Sequence, residues 1–426
     1  MTVANNPNRA PRDPASSRLP FHYGWIVVLA GILTLFSCLG LGRFALGMLL
    51  PAMGSNLQLS YTEMGLISTG NFVGYLLAVL ITGRLSRRWG ARTVIFTGLL
   101  LVGGSMLLMS QSDSFLPLLL LYLITGIGTG AANIPVMGLV AHWFAPRYRG
   151  RAAGGMIIGN GLGIVFSGLL IPWLNLHWGE LGWRIGWFSF GVLVLALGGL
   201  CTWLLRNDPA ELGLQPLGAS AVRADSPSPS VQAVAPGRNL VLHIGAIYFL
   251  FGFSYVIYVT FIVTSLLQDY GFSEAVAGWF WLVIGVLSMV SGPLFGALSD
   301  RLGRKTGMVL VFALHTLADL LAAAGLSQTL LLVSIVLFGI AAFSIPAIIA
   351  ATLSDLLPPA QTAITFGYVT FFFGVGQIIG PFLAGVLAEQ SGSFAGSYLM
   401  AAAMSVAAIG LTLLLGKRTA AATHSA

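Results

Sequence analysis

The sequence contains very little charge: only 8% of its 426 residues are Asp, Glu, Lys or Arg, while 57% are hydrophobic. A water-soluble domain needs more charge than this to cover its surface, so the composition excludes an ordinary soluble protein. The apolar stretches are continuous and do not alternate with polar residues, which favours membrane-spanning helices over a β-barrel. We therefore expect a lipid bilayer to be the main solvent of the chain.

Cysteine is scarce, and several chemical motifs are absent. Cys38 and Cys201 both lie in apolar stretches, so we expect neither a disulfide framework nor a metal site. Residues 1–20 lack an apolar core, so no cleavable signal peptide is expected. No phosphate-binding loop or nucleophile motif appears. The sequence therefore predicts no cofactor, no ATP hydrolysis and no enzymatic activity.

Apolar stretches long enough to cross a bilayer recur along the whole chain. They predict twelve spans, at residues 22–52, 62–82, 93–111, 115–143, 152–175, 184–205, 240–267, 274–297, 307–326, 328–354, 362–388 and 394–416. A polar stretch rich in Pro, Ser and Ala after the sixth span predicts a flexible linker. We expect an all-α integral membrane protein with a tail (1–21), a six-helix bundle (22–205), a linker (206–239), a second six-helix bundle (240–416) and a tail (417–426).

The basic residues are distributed unevenly between the connecting segments. Of the twenty Lys and Arg, all except Arg43 and Arg184 lie in the two tails and in the segments that follow even-numbered spans. Because basic loops stay on the cytoplasmic side, we expect both termini to be cytoplasmic in a bacterial inner-membrane protein. The net charge of +7 is then a feature of membrane topology, and no nucleic-acid partner is expected.

Three patterns of the first half recur in the second at nearly constant separation. They are Gly83–Thr93 with Gly296–Thr306, Asn133–Pro135 with Ser344–Pro346, and Gly150, Gly159 and Gly163 with Gly367, Gly376 and Gly380. Two parallel repeats joined by a linker are typical of alternating-access carriers, which bind the substrate between the halves near the midplane.

These residues resemble motifs of the major facilitator superfamily. Gly296–Lys305 is similar to its signature loop, and the glycines that end at Gly380-Pro381 are similar to its glycine-proline motif. The resemblance implies twelve transmembrane helices in two six-helix pseudo-repeats, and we expect a functional monomer. Three further segments resemble the monocarboxylate and oxalate/formate transporter branch: His22–Trp25, Trp143–Gly154 and Asn207–Pro216. Gly42–Phe44, followed by Leu50-Pro51, resembles a group of bacterial facilitators.

The signature loop carries Asp300 in the second half but Arg87 at the matching position of the first. We expect Asp300, together with Arg304, to form a conformational gate in which the carboxylate faces a helix N-terminus near Gly150. The monocarboxylate branch carries an Asp–Arg pair in the eighth helix. No charged residue lies between Glu274 and Asp300 here, so coupling by that pair is not expected.

Arg43 is the strongest candidate for a substrate-binding residue. A lone cation in a span costs several kcal/mol unless it finds a partner or reaches water. Gly40 and Gly47 leave space on its helix face, so an anionic substrate is one partner that would fit. The alternative is that the side chain extends to the membrane surface.

Six other polar residues of the spans are predicted to line the substrate path. Asn133 and Ser344 each precede an Ile-Pro, and symmetric proline interruptions mark binding sites in transporters, although they also serve merely to curve helices. Tyr255 and Tyr258 share one helix face with Tyr248 and Phe251, which indicates either a cavity wall or ordinary packing. The eleventh span adds two weaker candidates, Tyr368 and Gln377.

His315 and Asp319 are four residues apart in the ninth span and therefore neighbours on one helix face. Such a pair could exchange protons, or it could be a structural pair in a peripheral helix. Taken together, the sequence predicts a secondary transporter for a small organic anion, such as a monocarboxylate, driven by protons. The alternatives are an efflux antiporter for lipophilic compounds, with the aromatic face as its pocket, and a membrane-embedded enzyme or sensor.

Overall fold

A computed structural model describes residues 21–219 and 237–415. Both predicted tails, except Phe21, and residues 220–236 of the predicted linker lie outside these residues. Within the described ranges the chain is helical and forms no β-strand, apart from one isolated bridge between Phe144 and Leu217. Eleven segments are long and apolar enough to cross a membrane. The predicted all-helical, multi-span architecture is therefore confirmed.

The first half contains seven α-helices and one π-helix. These are α1 (Gly24–Leu35), the π-helical Phe36–Phe44, α2 (Leu46–Leu57), α3 (Tyr61–Trp89), α4 (Ala91–Met109), α5 (Phe115–Trp143), α6 (Pro146–Trp178) and α7 (Gly182–Leu204). The first predicted span therefore corresponds to three consecutive helical pieces. A 3₁₀ turn, Gly179–Leu181, separates α6 from α7. Its first residue, Gly179, has a φ of 52°, which glycine adopts without steric cost because it has no Cβ.

The second half also contains seven α-helices. These are α8 (Arg238–Gln268), α9 (Glu274–Leu302), α10 (Arg304–Ala324), α11 (Gln328–Ala341), α12 (Ser344–Leu356), α13 (Pro359–Ser391) and α14 (Ala395–Leu414). The tenth predicted span is interrupted between α11 and α12. Pro346 has no N–H to donate and is tolerated in the first turn of α12. In α5, by contrast, Pro135 lies inside a continuous helix.

The helix ends lie on two faces of the molecule. The terminal face carries the first and last described residues and the connections at Gly90, Ala145 and Gly303. The opposite face carries the connections at Ser60, at Gly179–Leu181 and at Gly392, among others.

The two halves touch each other mainly near the opposite face. A Cβ added to Gly65 of α3 would lie 2.3 Å from the Pro381 carbonyl oxygen of α13, and one on Gly278 of α9 would lie 2.5 Å from the Gly168 carbonyl oxygen of α6. Toward the terminal face, added Cβ atoms would meet nothing within 4 Å at Gly83, Gly150, Gly296 and Gly367. Among the described glycines, the close contacts between the halves therefore lie toward the opposite face.

The described part of the predicted linker, residues 206–219, packs on the first half. Leu217 donates its N–H to the Trp143 carbonyl, and its own carbonyl accepts from the Ala145 N–H. The Asn207 side chain accepts from the Arg92 N–H at 2.8 Å. Composition alone indicated a flexible segment, whereas these backbone hydrogen bonds hold 206–219 against the ends of α4, α5 and α6. Residues 220–236 lie outside the described part.

Candidate functional site

Arg43 lies in the π-helical turn of the first span. The Ala45 N–H bonds to the Gly40 carbonyl, five residues back, which is the π-helical pattern. Gly40 permits this irregular piece to lie directly on α6, because an added Cβ would be 2.8 Å from the Gly163 Cα. π-Helical turns often occur at functional sites because the extra residue redirects a side chain. Here the redirected side chain is a cation.

The Arg43 guanidinium is held by α3 on several sides. Its Nε donates to the Asn71 Oδ1 at 3.2 Å. Its central carbon lies 4.7 Å from the Phe72 ring centre and 4.4 Å from that of Tyr75, which is favourable cation–π geometry. Nη2 is buried and has no hydrogen-bond partner among the described residues, and no carboxylate of those residues lies within 4.0 Å. The charge is therefore positioned but not neutralised.

A small cavity beside Arg43 lies between the two halves. Its volume is about 20 Å³, enough for roughly one water. Its walls come from the π-helical piece, α2, α3 and α5 of the first half and from α8 of the second. Toward the opposite face it is sealed where Ser68 Oγ lies 3.2 Å from Thr260 Oγ1, and where Gly47 packs on the Val259 carbonyl. The cavity thus lies just beneath the contact that closes this face.

Tyr255 reaches this cavity, whereas Tyr258 does not. The Tyr255 hydroxyl accepts a hydrogen bond from Gln377 Nε2 at 2.8 Å. Tyr255 therefore lines the cavity, and Gln377 lies behind it. The Tyr258 hydroxyl lies 2.7 Å from Ser334 Oγ, and its ring stacks on Phe338 at 4.0 Å inside the second half. α8 is buried around most of its circumference, so aromatic spacing along it did not distinguish the cavity side from the packed side.

The remaining predicted substrate residues also separate into two groups. Asn133 donates a hydrogen bond to the Tyr75 hydroxyl at 2.9 Å, and the Tyr75 ring in turn lies against Arg43. Ser344 is fully buried and lies 3.2 Å from Ser291 Oγ, where it joins α12 to α9 away from the cavity. Tyr368 is 56% exposed. It lies nine residues before Gln377, about two and a half helical turns, and therefore on the other side of α13.

His315 and Asp319 lie inside the second half rather than at the cavity. Both are 1% exposed. The His315 ring centre lies 5.0 Å from that of Phe338 and 5.8 Å from that of Phe251. His315 Nε2 and Asp319 Oδ1 have no hydrogen-bond partner among the described residues. The two residues share a helix face as predicted, but no ion pair between them is present in the described chain.

The predicted gate residues form contacts within the second half only. Arg304 Nη1 donates to Asp300, and its Nε donates to Asp355 Oδ2 at 2.7 Å. These bonds join the α9–α10 connection to the end of α12. Among the described residues, Asp300 bonds to Arg304 and not to the helix N-terminus near Gly150, where an added Cβ would meet nothing within 4 Å.

Sequence reasoning missed Asn71, Phe72 and Tyr75 as the environment of Arg43. Their spacing in α3 puts the three on adjoining faces, but no charge or motif in the sequence indicates that this surface faces Arg43. Ser68 and Thr260 were also missed, since single hydroxyl residues in apolar spans carry no distinguishing signal.

Comparison with known proteins identifies the family. The sequence model of the family described as "Uncharacterised MFS-type transporter YbfB" matches residues 35–413. The chain belongs to this family of major facilitator transporters. It is 25% identical to the hexuronate transporter of Bacillus subtilis over 86% of this chain and 88% of that one. It is 27% identical to monocarboxylate transporter 11 of Mus musculus over 89% of this chain and 84% of that one.

A solved structure supports the same fold. The chain superimposes on a bacterial homolog of the human lysosomal transporter Spinster with a TM-score of 0.69, at 16% sequence identity, covering 92% of this chain and 95% of that one. The predicted superfamily membership is confirmed, and the protein is a multi-pass membrane protein.

Proposed function

We propose that this transporter carries a small organic acid, whose carboxylate binds Arg43 between the two halves. The observation that carries the proposal is the buried, unpartnered Nη2 of a guanidinium that is otherwise fixed by Asn71 and two aromatic rings. A planar guanidinium presents parallel N–H donors that match a carboxylate. The names of the two similar transporters, for hexuronates and monocarboxylates, both refer to organic acids.

The carrier works by alternating access. The close contacts between the halves toward the opposite face represent one of the two end states of that cycle. In this proposal Pro146–Leu204 crosses the membrane twice, as α6 and α7, which gives twelve spans in two pseudo-repeats of six. The terminal face is cytoplasmic in a bacterial inner membrane, residues 206–239 join the repeats, and the functional unit is the monomer.

Transport is coupled to protons in this proposal, with Asp319 as the proton-binding group and His315 beside it. A carboxylate buried in a membrane span without a cationic partner is costly as an anion, and such residues commonly mark proton relays. Aromatic contacts connect His315 with the proposed substrate site. Phe251 lies next to His315 on one side and stacks on Tyr255 on the other, with the Phe251 and Tyr255 ring centres 4.9 Å apart.

The efflux alternative required the aromatic face of α8 as an open pocket. Tyr248, Phe251 and Tyr255 instead stack against Phe373 of α13, with ring centres 4.5–5.9 Å apart, and at most 4% of any of the three is exposed. This geometry supports ordinary packing, and no observation favours a lipophilic substrate.

The test is acid binding to purified Arg43→Gln and Arg43→Lys proteins. Loss of a charge-assisted hydrogen bond is expected to weaken carboxylate affinity about ten- to hundredfold in Arg43→Gln, and less in Arg43→Lys, which keeps the charge but not the planar fork. Arg84→Gln, the same change at an exposed position of α3, serves as the matched control. Wild-type affinity in folded Arg43→Gln protein would contradict the proposal.

A further inference from the structure

Two tyrosines of the site have a hydroxyl proton that nothing in the described structure accepts. The Tyr75 hydroxyl accepts a hydrogen bond from Asn133 Nδ2, and the Tyr255 hydroxyl accepts one from Gln377 Nε2. A phenol has one O–H donor besides its acceptor capacity. Because each phenol oxygen already serves as an acceptor, its proton remains available to a ligand.

Both phenols belong to the surroundings of Arg43, and they come from different halves. The Tyr75 ring lies 4.4 Å from the guanidinium carbon, and Tyr255 forms a wall of the cavity that Arg43 also lines. The amides of Asn133 and Gln377 orient the two phenols, one in each half. The Tyr75 ring therefore lies against the Arg43 guanidinium, and Tyr255 lines the cavity beside it. No carboxylate of the described residues lies within 4.0 Å of the guanidinium.

We propose that the site selects acids that carry an oxo group beside the carboxylate. This inference rests on the proposed function, because the carboxylate is taken to bind Arg43. A ketone oxygen only accepts hydrogen bonds, so it matches free phenol protons without introducing a donor of its own. An acid with a methylene at that position would remove water from the phenol donors without offering them an acceptor. This unpaired state costs binding free energy, so the site would bind the oxo acid more tightly than the acid without the oxo group.

The experiment compares pyruvate with propionate, which have the same number of carbons and differ at the carbon beside the carboxylate. Their affinities are measured calorimetrically on purified wild-type protein and on Tyr255→Phe and Tyr75→Phe. The wild type is expected to prefer pyruvate. Tyr255→Phe should weaken pyruvate binding about three- to tenfold, the effect of one hydrogen bond, and leave propionate nearly unchanged. Tyr75→Phe should act in the same direction while keeping the ring against Arg43.

Tyr258→Phe is the matched control, because it makes the same change on the same helix at a hydroxyl that bonds Ser334 inside the second half. It should retain the wild-type ratio of pyruvate to propionate affinity. Equal wild-type affinity for the two acids, or an unchanged ratio in both Tyr255→Phe and Tyr75→Phe, would overturn the inference. The proposed function would still stand if Arg43→Gln weakened both acids together, and it would fail if Arg43→Gln bound both like the wild type.

Discussion

The close contact between α3 and α13 makes Gly65 a sensitive point of the conformational cycle. We predict that Gly65→Ala shifts the protein toward conformations in which the opposite face is open. The new methyl group would lie 2.3 Å from the Pro381 carbonyl oxygen and 3.0 Å from its carbonyl carbon. These are backbone atoms, so no side-chain rotation can relieve the overlap, and the two helices have to separate.

The size of the effect follows from the geometry. Ordinary contact begins at 3.4 Å, so the helices must separate by about 1 Å where they now touch. Overpacking of this kind costs about 1–3 kcal/mol in well-packed interiors. Because the steric overlap disappears when the two halves separate, it raises the free energy of the closed state alone. The ratio of open to closed protein should rise about five- to 150-fold.

The assay is a distance measurement between spin labels at Gln111 and Gln328, two exposed positions on the opposite face, one in each half. Gly65→Ala should transfer population from the short to the long distance. Gly83→Ala, in the same helix but with open space around its Cβ, should leave the distribution as in the wild type. An unaltered distribution in Gly65→Ala would refute the reasoning, because it would mean that α3 bends within its own half.

Two further predictions concern the gate and the coupling. Asp300→Asn should slow transport in proteoliposomes while expression stays nearly intact, because Asp300 is expected to bind the N-terminal end of α6 when the terminal face closes; an unchanged rate would contradict this. Asp319→Asn should abolish accumulation driven by a pH gradient yet spare the exchange of labelled for unlabelled substrate; survival of both activities would identify Asp319 and His315 as a structural pair.

The sequence predicted the helical architecture well because long apolar stretches determine it directly. It also indicated Arg43, since an isolated cation in a span is visible without any knowledge of packing. It did not indicate the π-helical turn, which depends on Gly40 lying against Gly163 of another helix. Hydropathy did not resolve the break between α11 and α12, because apolar composition continues across it, whereas the proline pattern at Ser344–Pro346 marked its position.

Predictions that depended on helix rotation match the lining of the Arg43 cavity only in part. Tyr255 and Tyr258 are chemically alike and both almost completely buried, yet one faces the cavity and the other faces Ser334. Periodicity shows which residues of a helix share a face, but not what that face contacts. The same limitation explains Tyr368, whose exposed position on α13 requires knowing which side of that helix packs on α8.

If Arg43 binds the substrate as proposed, the position of the cavity connects substrate recognition with the conformational cycle. Arg43, Asn71 and Tyr75 all belong to the first half, so they should move together and keep the carboxylate in both end states. Tyr255 and Thr260 belong to the second half, and they meet the first half where the opposite face is sealed.

When that face opens, Ser68 must part from Thr260, and Tyr255 should move away from the guanidinium. Arg43 would then contribute to substrate affinity throughout the cycle, whereas Tyr255 would contribute only when the opposite face is closed. Combining Gly65→Ala with Tyr255→Phe should therefore reduce pyruvate affinity by less than the two separate effects predict.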